Sequence, residues 1–248
     1  MKQGILEVSA DRMYPLGMKI AIGDSIYKYG KADADRQLRA AYAVFPKITY
    51  GETGVPAAEA PAGSITITLT AVGTVIADEF KNGILSKAGG GGGGYGINYR
   101  IKGNTAATAG NTFTVTLHDP LITAMPVTDT VTLFHSAWRE VVCMRQRVLD
   151  GVATDLRKTS WIGVPNLFVP ASYHCWLQTW GPCMVIPAGG TEGVADDERM
   201  MHFEEDGSVA KVDYSTPHEQ QIAGFVLPVT TAGAIPDLLE IFLQITPV

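Results

Sequence analysis

Tyr173-His-Cys-Trp-Leu-Gln-Thr-Trp-Gly-Pro-Cys-Met-Val-Ile186 is the stretch on which the reading of this chain turns. With the period of two that a strand imposes, Tyr173, Cys175 and Leu177 point one way. His174, Trp176, Gln178 and Trp180 point the other. Gly181-Pro182 punctuates the run, and Cys183 to Ile186 supplies a second apolar piece, so two strands joined by a turn or bend are expected. An antiparallel strand with one wet face alternates polar and apolar residues; this one offers water little on either side. Two readings follow. Either the tryptophan face meets another subunit, since Trp combines large contact area with one polar handle, or the strand is covered on both faces within one subunit.

Bulk composition narrows the function classes. A chain of 248 residues with 46% hydrophobic residues can build a sizeable core, as one large β domain or two smaller ones. Charged residues make up only 18%, below the usual quarter, a composition often found in proteins that hide surface in an assembly and found in some monomers too. The net charge is -6, the pI is near 5.3, and no Lys/Arg cluster occurs. Nucleic-acid binding as the main task is therefore not expected, because phosphate contacts need concentrated positive charge. No run approaches membrane-spanning length and no signal-peptide core opens the chain, so no membrane partner is expected and a soluble protein made inside the cell is. Three scattered cysteines, Cys143, Cys175 and Cys183, fit a reducing compartment better than a disulfide scaffold.

Along the chain, residues 1–60 read as an N-terminal arm broken by Pro15, Gly17, Gly23, Gly30 and Pro46, with brief strands at 19–22 and 26–29. One short helix is expected between Asp33 or Asp35 and Pro46, carried by Leu38, Ala41, Tyr42 and Phe45. Such a stripe is too short to stand alone and must lie on this subunit's own β domain or on a neighbour; the arm is expected to bind in trans and to be poorly ordered in the free protein. Removal of residues 1–50 is then expected to leave a folded β protein.

Residues 61–138 read as a first β domain. Ser64 to Thr70 alternates Ile and Leu with Ser and Thr, placing Ile65, Ile67 and Leu69 inward. Thr112 to Leu117 repeats the design with Phe113, Val115 and Leu117, and Val131 to Phe134 and Asn98 to Lys102 follow suit. The glycine run Gly89 to Gly94 lacks both Gly-Lys-Ser/Thr and a following helix, so a hairpin tip is expected rather than a phosphate loop. Residues 139–248 read as a second β domain. It opens with an edge strand over 140–148 and continues in short strands separated by turns such as Gly189-Gly190 and Asp206-Gly207. The fold class is thus mainly β: an arm with one short helix, then two small antiparallel domains of sandwich or barrel type.

Two stretches carry a resemblance: Tyr95-Gly-Ile-Asn-Tyr-Arg-Ile-Lys-Gly-Asn through Thr-Phe-Thr-Val-Thr-Leu-His-Asp-Pro-Leu121, and Ala171 to Ile186, echoed by Gln221 to Leu227. Together they resemble a family of tailed-bacteriophage virion proteins found near capsid genes. The pattern is one of strands and glycine turns over about Arg12 to the C-terminus, and not a catalytic signature. The resemblance implies a capsid decoration (cement) or related head protein, a homotrimer seated on the exterior of the major-capsid-protein lattice. Its alternative is a head-fibre or tail component with a host-adhesion role. The six-glycine run and the Cys175/Cys183 pair depart from the pattern, and no residue role is carried over.

Candidate contact and chemical residues are few. The interface reading assigns Tyr173, Trp176 and Trp180 on the central strand and Leu38, Tyr42 and Phe45 on the helix stripe. Lys19 to Ile26 runs a strand into Gly23-Asp24-Ser25, which resembles the nucleophile block of SGNH-type esterases. That chemistry needs a base and an orienting carboxylate, and Asp213 with His218 has the wrong spacing for the late Asp-x-x-His. A turn is the expectation for Gly23-Asp24-Ser25. His174, Cys175, Cys183 and His202 lack the paired spacing of structural zinc, so buried thiols and a hydrogen-bonded histidine are expected. Asp196-Asp197-Glu198 and Glu204-Glu205-Asp206 do not follow a calcium-loop spacing and read as solvated loops, with a lattice cation as the alternative. No catalytic residue, metal or cofactor is expected.

Overall fold

Sixteen strands and almost no helix account for the regular structure in the computed structural model. It describes residues 2–47, 53–89, 97–144, 160–189, 199–213, 221–227 and 238–245. In chain order the strands are β1 (Lys19–Ile22), β2 (Ser25–Lys31), β3 (Val44–Pro46), β4 (Thr53–Gly54), β5 (Thr66–Thr70), β6 (Ile84–Gly89), β7 (Asn98–Asn104) and β8 (Thr112–Leu117). They continue as β9 (Thr130–Phe134), β10 (Val141–Cys143), β11 (Val164–Pro165), β12 (His174–Val185), β13 (Met200–Phe203), β14 (Val209–Lys211), β15 (Ile222–Val226) and β16 (Leu239–Gln244). The chain forms two units. One joins Met1–Ile48 to Ala137–Val248, and the other is the continuous segment Thr49–Ser136.

In the discontinuous unit, an eight-stranded sheet runs β1-β2-β12-β16-β15-β13-β14, with β11 also paired to β12. β3 and β10 form a separate two-stranded sheet. β12 is the organising element and differs from the expected pair of strands: it is one twelve-residue strand that passes through Gly181-Pro182. It pairs with β2 over His174–Trp180 and with β16 over Trp180–Val185, and the register on β2 shifts between Gln178 and Trp180. The bend falls there because Gly181 takes φ +91 against the Asp24 carbonyl, where a Cβ would lie 2.4 Å from that oxygen. Gln178, only 2% exposed, repairs the break: its Nε2 donates to the carbonyls of Trp180 (3.2 Å) and Pro182 (2.6 Å).

The lack of a wet face on His174 to Thr179 has an internal cause. Cys175 and Leu177 pack with Ala32, Leu38, Val44, Val141, Cys143 and Val169 on one side. Trp176 packs with Tyr27 and Tyr29 on the other, covered by Ile5, Tyr14, Leu16 and Ile20. Residues near the N-terminus seal this second layer. Tyr29 Oη donates to Gln3 Oε1 at 2.7 Å, Trp176 Nε1 donates to the Gln3 carbonyl at 3.3 Å, and Gln3 Nε2 donates to the His174 carbonyl at 3.1 Å.

The expected N-terminal arm is therefore corrected: β1 and β2 are strands of the main sheet, and residues 3–20 are part of its cover. The expected helix is corrected too, as 33–45 contains turns, bridges and the start of β3. Leu38 exchanges backbone hydrogen bonds with Val169, Val44 bonds to Gly163, and Ala41 takes φ +64. A stripe of under two turns cannot supply the backbone bonds that buried Leu38 and Phe45 require, while cross-strand partners can. Phe45 also sits just before Pro46, a position that disfavours helical backbone.

In the continuous unit the strand order is β4-β9-β6-β7-β8-β5, all antiparallel. The sheet curls into a barrel-like closure. Pro56, just after edge strand β4, bridges Leu69 on the opposite edge strand β5, and Ala57 N donates to the Thr68 carbonyl. Ile67, Leu69, Tyr99, Ile101, Phe113, Val115, Leu117, Val131 and Leu133 line its core, as the alternation predicts, and Leu85 of β6, a strand the sequence reading does not place, joins them. Ile65 differs: expected inside, it precedes β5 and is 53% exposed. β6 and β7, which flank the glycine run, pair as a hairpin, while Gly90 to Gly94 lie outside the described residues. Also outside are residues 145–148 of the expected edge strand, Asp150-Gly151, Gly190, Asp196 to Glu198 and His218.

Candidate functional site

The outer face of the eight-stranded sheet carries the best candidate for a contact site. On β16 the core takes Leu239, Ile241 and Leu243, leaving Glu240, Phe242 and Gln244 on the opposite face. Register sets Phe242 opposite Pro182 of β12 and Phe225 of β15, and Met200 of β13 opposite Phe225. Trp180 lies two positions from Pro182 on the same strand. Phe225 and Phe242 stack with centroids 5.2 Å apart and planes 5° apart. Trp180 meets Phe242 edge-on at 5.5 Å. These three rings are half-buried, Pro182 is exposed and Met184 is 45% exposed, so the row keeps much apolar surface open to solvent. Aromatic and methionine side chains in such a row are those enriched at protein contacts.

The structure divides the six candidate interface residues. Trp176, Leu38 and Phe45 are 1%, 0% and 3% exposed, held in this chain's own interior, and this corrects their assignment as contact residues. Trp176 is walled in by Tyr14 and Tyr29, and Phe45 packs edge-on against Trp161. Tyr173 and Tyr42 are half-buried beside the cluster around Cys175 and Leu177. Trp180 belongs to the outer row. Sequence reasoning missed its neighbours Phe242, Phe225, Met184 and Met200, though one signal existed. Phe242 occupies the polar phase of the β16 alternation, between Glu240 and Gln244.

The other candidates fall into structural settings. Gly23-Asp24 is the two-residue turn of the β1–β2 hairpin, with Ile22 paired to Ser25 and Gly23 at φ +56. Ser25 opens β2, and its Oγ accepts from Gln178 Nε2 at 3.4 Å; a strand, not a helix, follows it. Cys143, Cys175 and Cys183 are free and buried. Burial pushes the Cys175 and Cys183 thiols up to about 12. Burial also lowers the basicity of His174, whose ring stacks on Tyr29 at 5.8 Å, and raises the Tyr29 hydroxyl. His202 Nε2 contacts Glu204 Oε1 at 2.9 Å. Glu204 to Asp206 form the β13–β14 turn, in which Asp206 Oδ1 accepts from the Ser208 amide. Among the described residues no three His, Cys, Asp or Glu side chains cluster as metal ligands, and no helix is long and apolar enough to cross a membrane. No protein-family model, curated protein or solved structure matches the chain.

Proposed function

We propose that this protein is a structural component of a tailed-phage virion, a homotrimeric decoration or cement protein that binds the exterior of the major-capsid lattice and performs no catalysis. The observation that carries the reading is the open aromatic row of Trp180, Phe242 and Phe225 with Pro182 and Met184. A row of this kind loses water-exposed apolar area only when another surface lies on it. The low charge content and the strand-and-glycine resemblance over Tyr95 to Leu121 and Ala171 to Ile186 support a protein lattice as that surface. Each bridge between capsomers adds contact area that must be lost before the shell can open.

The test is reconstitution on capsids that lack this protein. The chain should co-sediment with them saturably, and cryo-electron microscopy should show it in groups of three on the outer surface. Met184→Asp, which alters an exposed side chain and leaves the core alone, should sharply weaken co-sedimentation while the circular dichroism spectrum stays unchanged. Absence of binding at any protein concentration would overturn the proposal. The aromatic row also favours one second reading, a head-fibre or tail adhesin, because aromatic surfaces serve as glycan platforms; binding to host cells but not to capsids would select it.

A further inference from the structure

One buried pair in the continuous unit has no part in any surface role. Lys87 on β6 and Asp129, the residue before β9, are 3% and 0% exposed. By the period of two, Lys87 shares the inward face with Leu85, and Asp129 shares it with Val131 and Leu133. Lys87 is in register with Val131, and a bulge follows between Lys87 and Gly89. The two side chains thus meet inside an apolar core, with Nζ 2.6 Å from Oδ2. Close as they are, neither the nitrogen nor either carboxylate oxygen makes a directional hydrogen bond among the described residues. An ion pair in such a place is expensive unless further hydrogen bonds satisfy its atoms. Asp33 shows how this chain satisfies a buried aspartate: its Oδ1 accepts from the Ala34 amide at 2.8 Å and from Lys47 Nζ at 2.7 Å. Asp129 has no such support.

We propose that Lys87 and Asp129 condense to an intrachain amide, an isopeptide bond from Nζ to Cγ that ties β6 to the start of β9. The atoms balance within the pair. The ammonium gives one proton to the carboxylate, and the amine lone pair attacks Cγ. The Cγ–OH bond of the tetrahedral adduct then breaks, and the departing oxygen leaves as water with a second proton from nitrogen. No oxidant, cofactor or outside reagent is required. Proximity supplies the rate, since both groups are held in contact and water is excluded from the product. The amide removes two full charges from the core, and it closes the chain between residues 87 and 129 covalently.

Intact-mass spectrometry of the denatured full-length chain tests this directly. The wild-type protein should be lighter than its sequence by one water molecule. Proteolysis should yield a branched peptide joining residue 87 to residue 129. Lys87→Arg keeps the positive charge but removes the nucleophile, so this variant should have its full uncondensed mass. A wild-type mass equal to the uncondensed sequence overturns the proposal whether or not any variant folds. A missing water that persists in Lys87→Arg also overturns it, by placing the condensation elsewhere.

Discussion

Cys175 and Cys183 are free thiols buried on β12. What burial does to them becomes a measurable property. Both thiols are pushed up to about 12 from an ordinary value of 9.0. The unfolded chain releases these protons above pH 9, whereas the folded chain holds them until about pH 12. Their contribution to stability is therefore complete below pH 9 and is lost as the pH rises through that window. The ceiling is on the order of 4 kcal/mol per thiol. The urea midpoint of the wild-type protein should fall between pH 9 and pH 12 more steeply than that of a Cys175→Ala/Cys183→Ala variant. The variant should start lower at neutral pH, because it carries two small cavities. The difference in slope between the two proteins is the readout; parallel profiles would refute the argument. Trp176 shows the limit of legibility at this scale. Its strand admitted either an intersubunit contact or an internal one, and the residues that cover it, Gln3, Tyr14 and Tyr29, lie far away in sequence.

Elements with strict alternation were readable. β5, β8 and β9 put Ile67 and Leu69, Phe113 and Val115, and Val131 and Leu133 inward because one wet face forces polar and apolar residues to alternate. Short apolar runs were not. Leu38, Ala41, Tyr42 and Phe45 satisfy a helical stripe, yet their backbone pairs with Val169 and Gly163, and nothing local to residues 33–45 announces those partners. Gly181-Pro182 reads as a turn by composition, but β16 pairs across it and Gln178 satisfies the carbonyls beside it. A testable consequence concerns the N-terminus. β2 lies between β1 and β12, its Tyr29 is fully buried, and Gly30 packs against Leu177. Deleting residues 1–50 should strip one face and one edge from β12, opposite to the outcome expected of a detachable arm. The truncated chain should lose the thermal transition of the discontinuous unit and the near-ultraviolet dichroism of Trp176, while the unit Thr49–Ser136 keeps its own transition. A truncated protein that kept both would show that β12 needs no cover from β1, β2 and the segment before them.

At the scale of the whole chain, the sequence suggested three successive pieces, whereas the structure has one unit inserted into another. Pro46 of β3 pairs with Val141 of β10, Lys47 N donates to the Glu140 carbonyl at 2.8 Å, and Lys31 N donates to the Trp138 carbonyl at 2.9 Å. The chain thus leaves the discontinuous unit and re-enters it at neighbouring positions, which is how an inserted domain joins its host. Composition around residue 50 marks a boundary but cannot reveal that the segments on either side of the insert share a core. Among the described residues each unit has hydrophobic clusters of its own: one in Thr49–Ser136 and three in the remainder. Each should therefore fold without the other. Replacing residues 49–136 with a short Gly/Ser link should leave a protein with a single cooperative unfolding transition and the near-ultraviolet signal of the Trp176, Tyr29 and Tyr14 cluster. Closing so short a loop between positions already paired adds little entropic cost. Residues 49–136 expressed alone should give the dispersed amide spectrum of a folded β protein. A collapsed, undispersed spectrum from the excised segment, together with loss of the transition in the deleted chain, would mean that the two units fold as one.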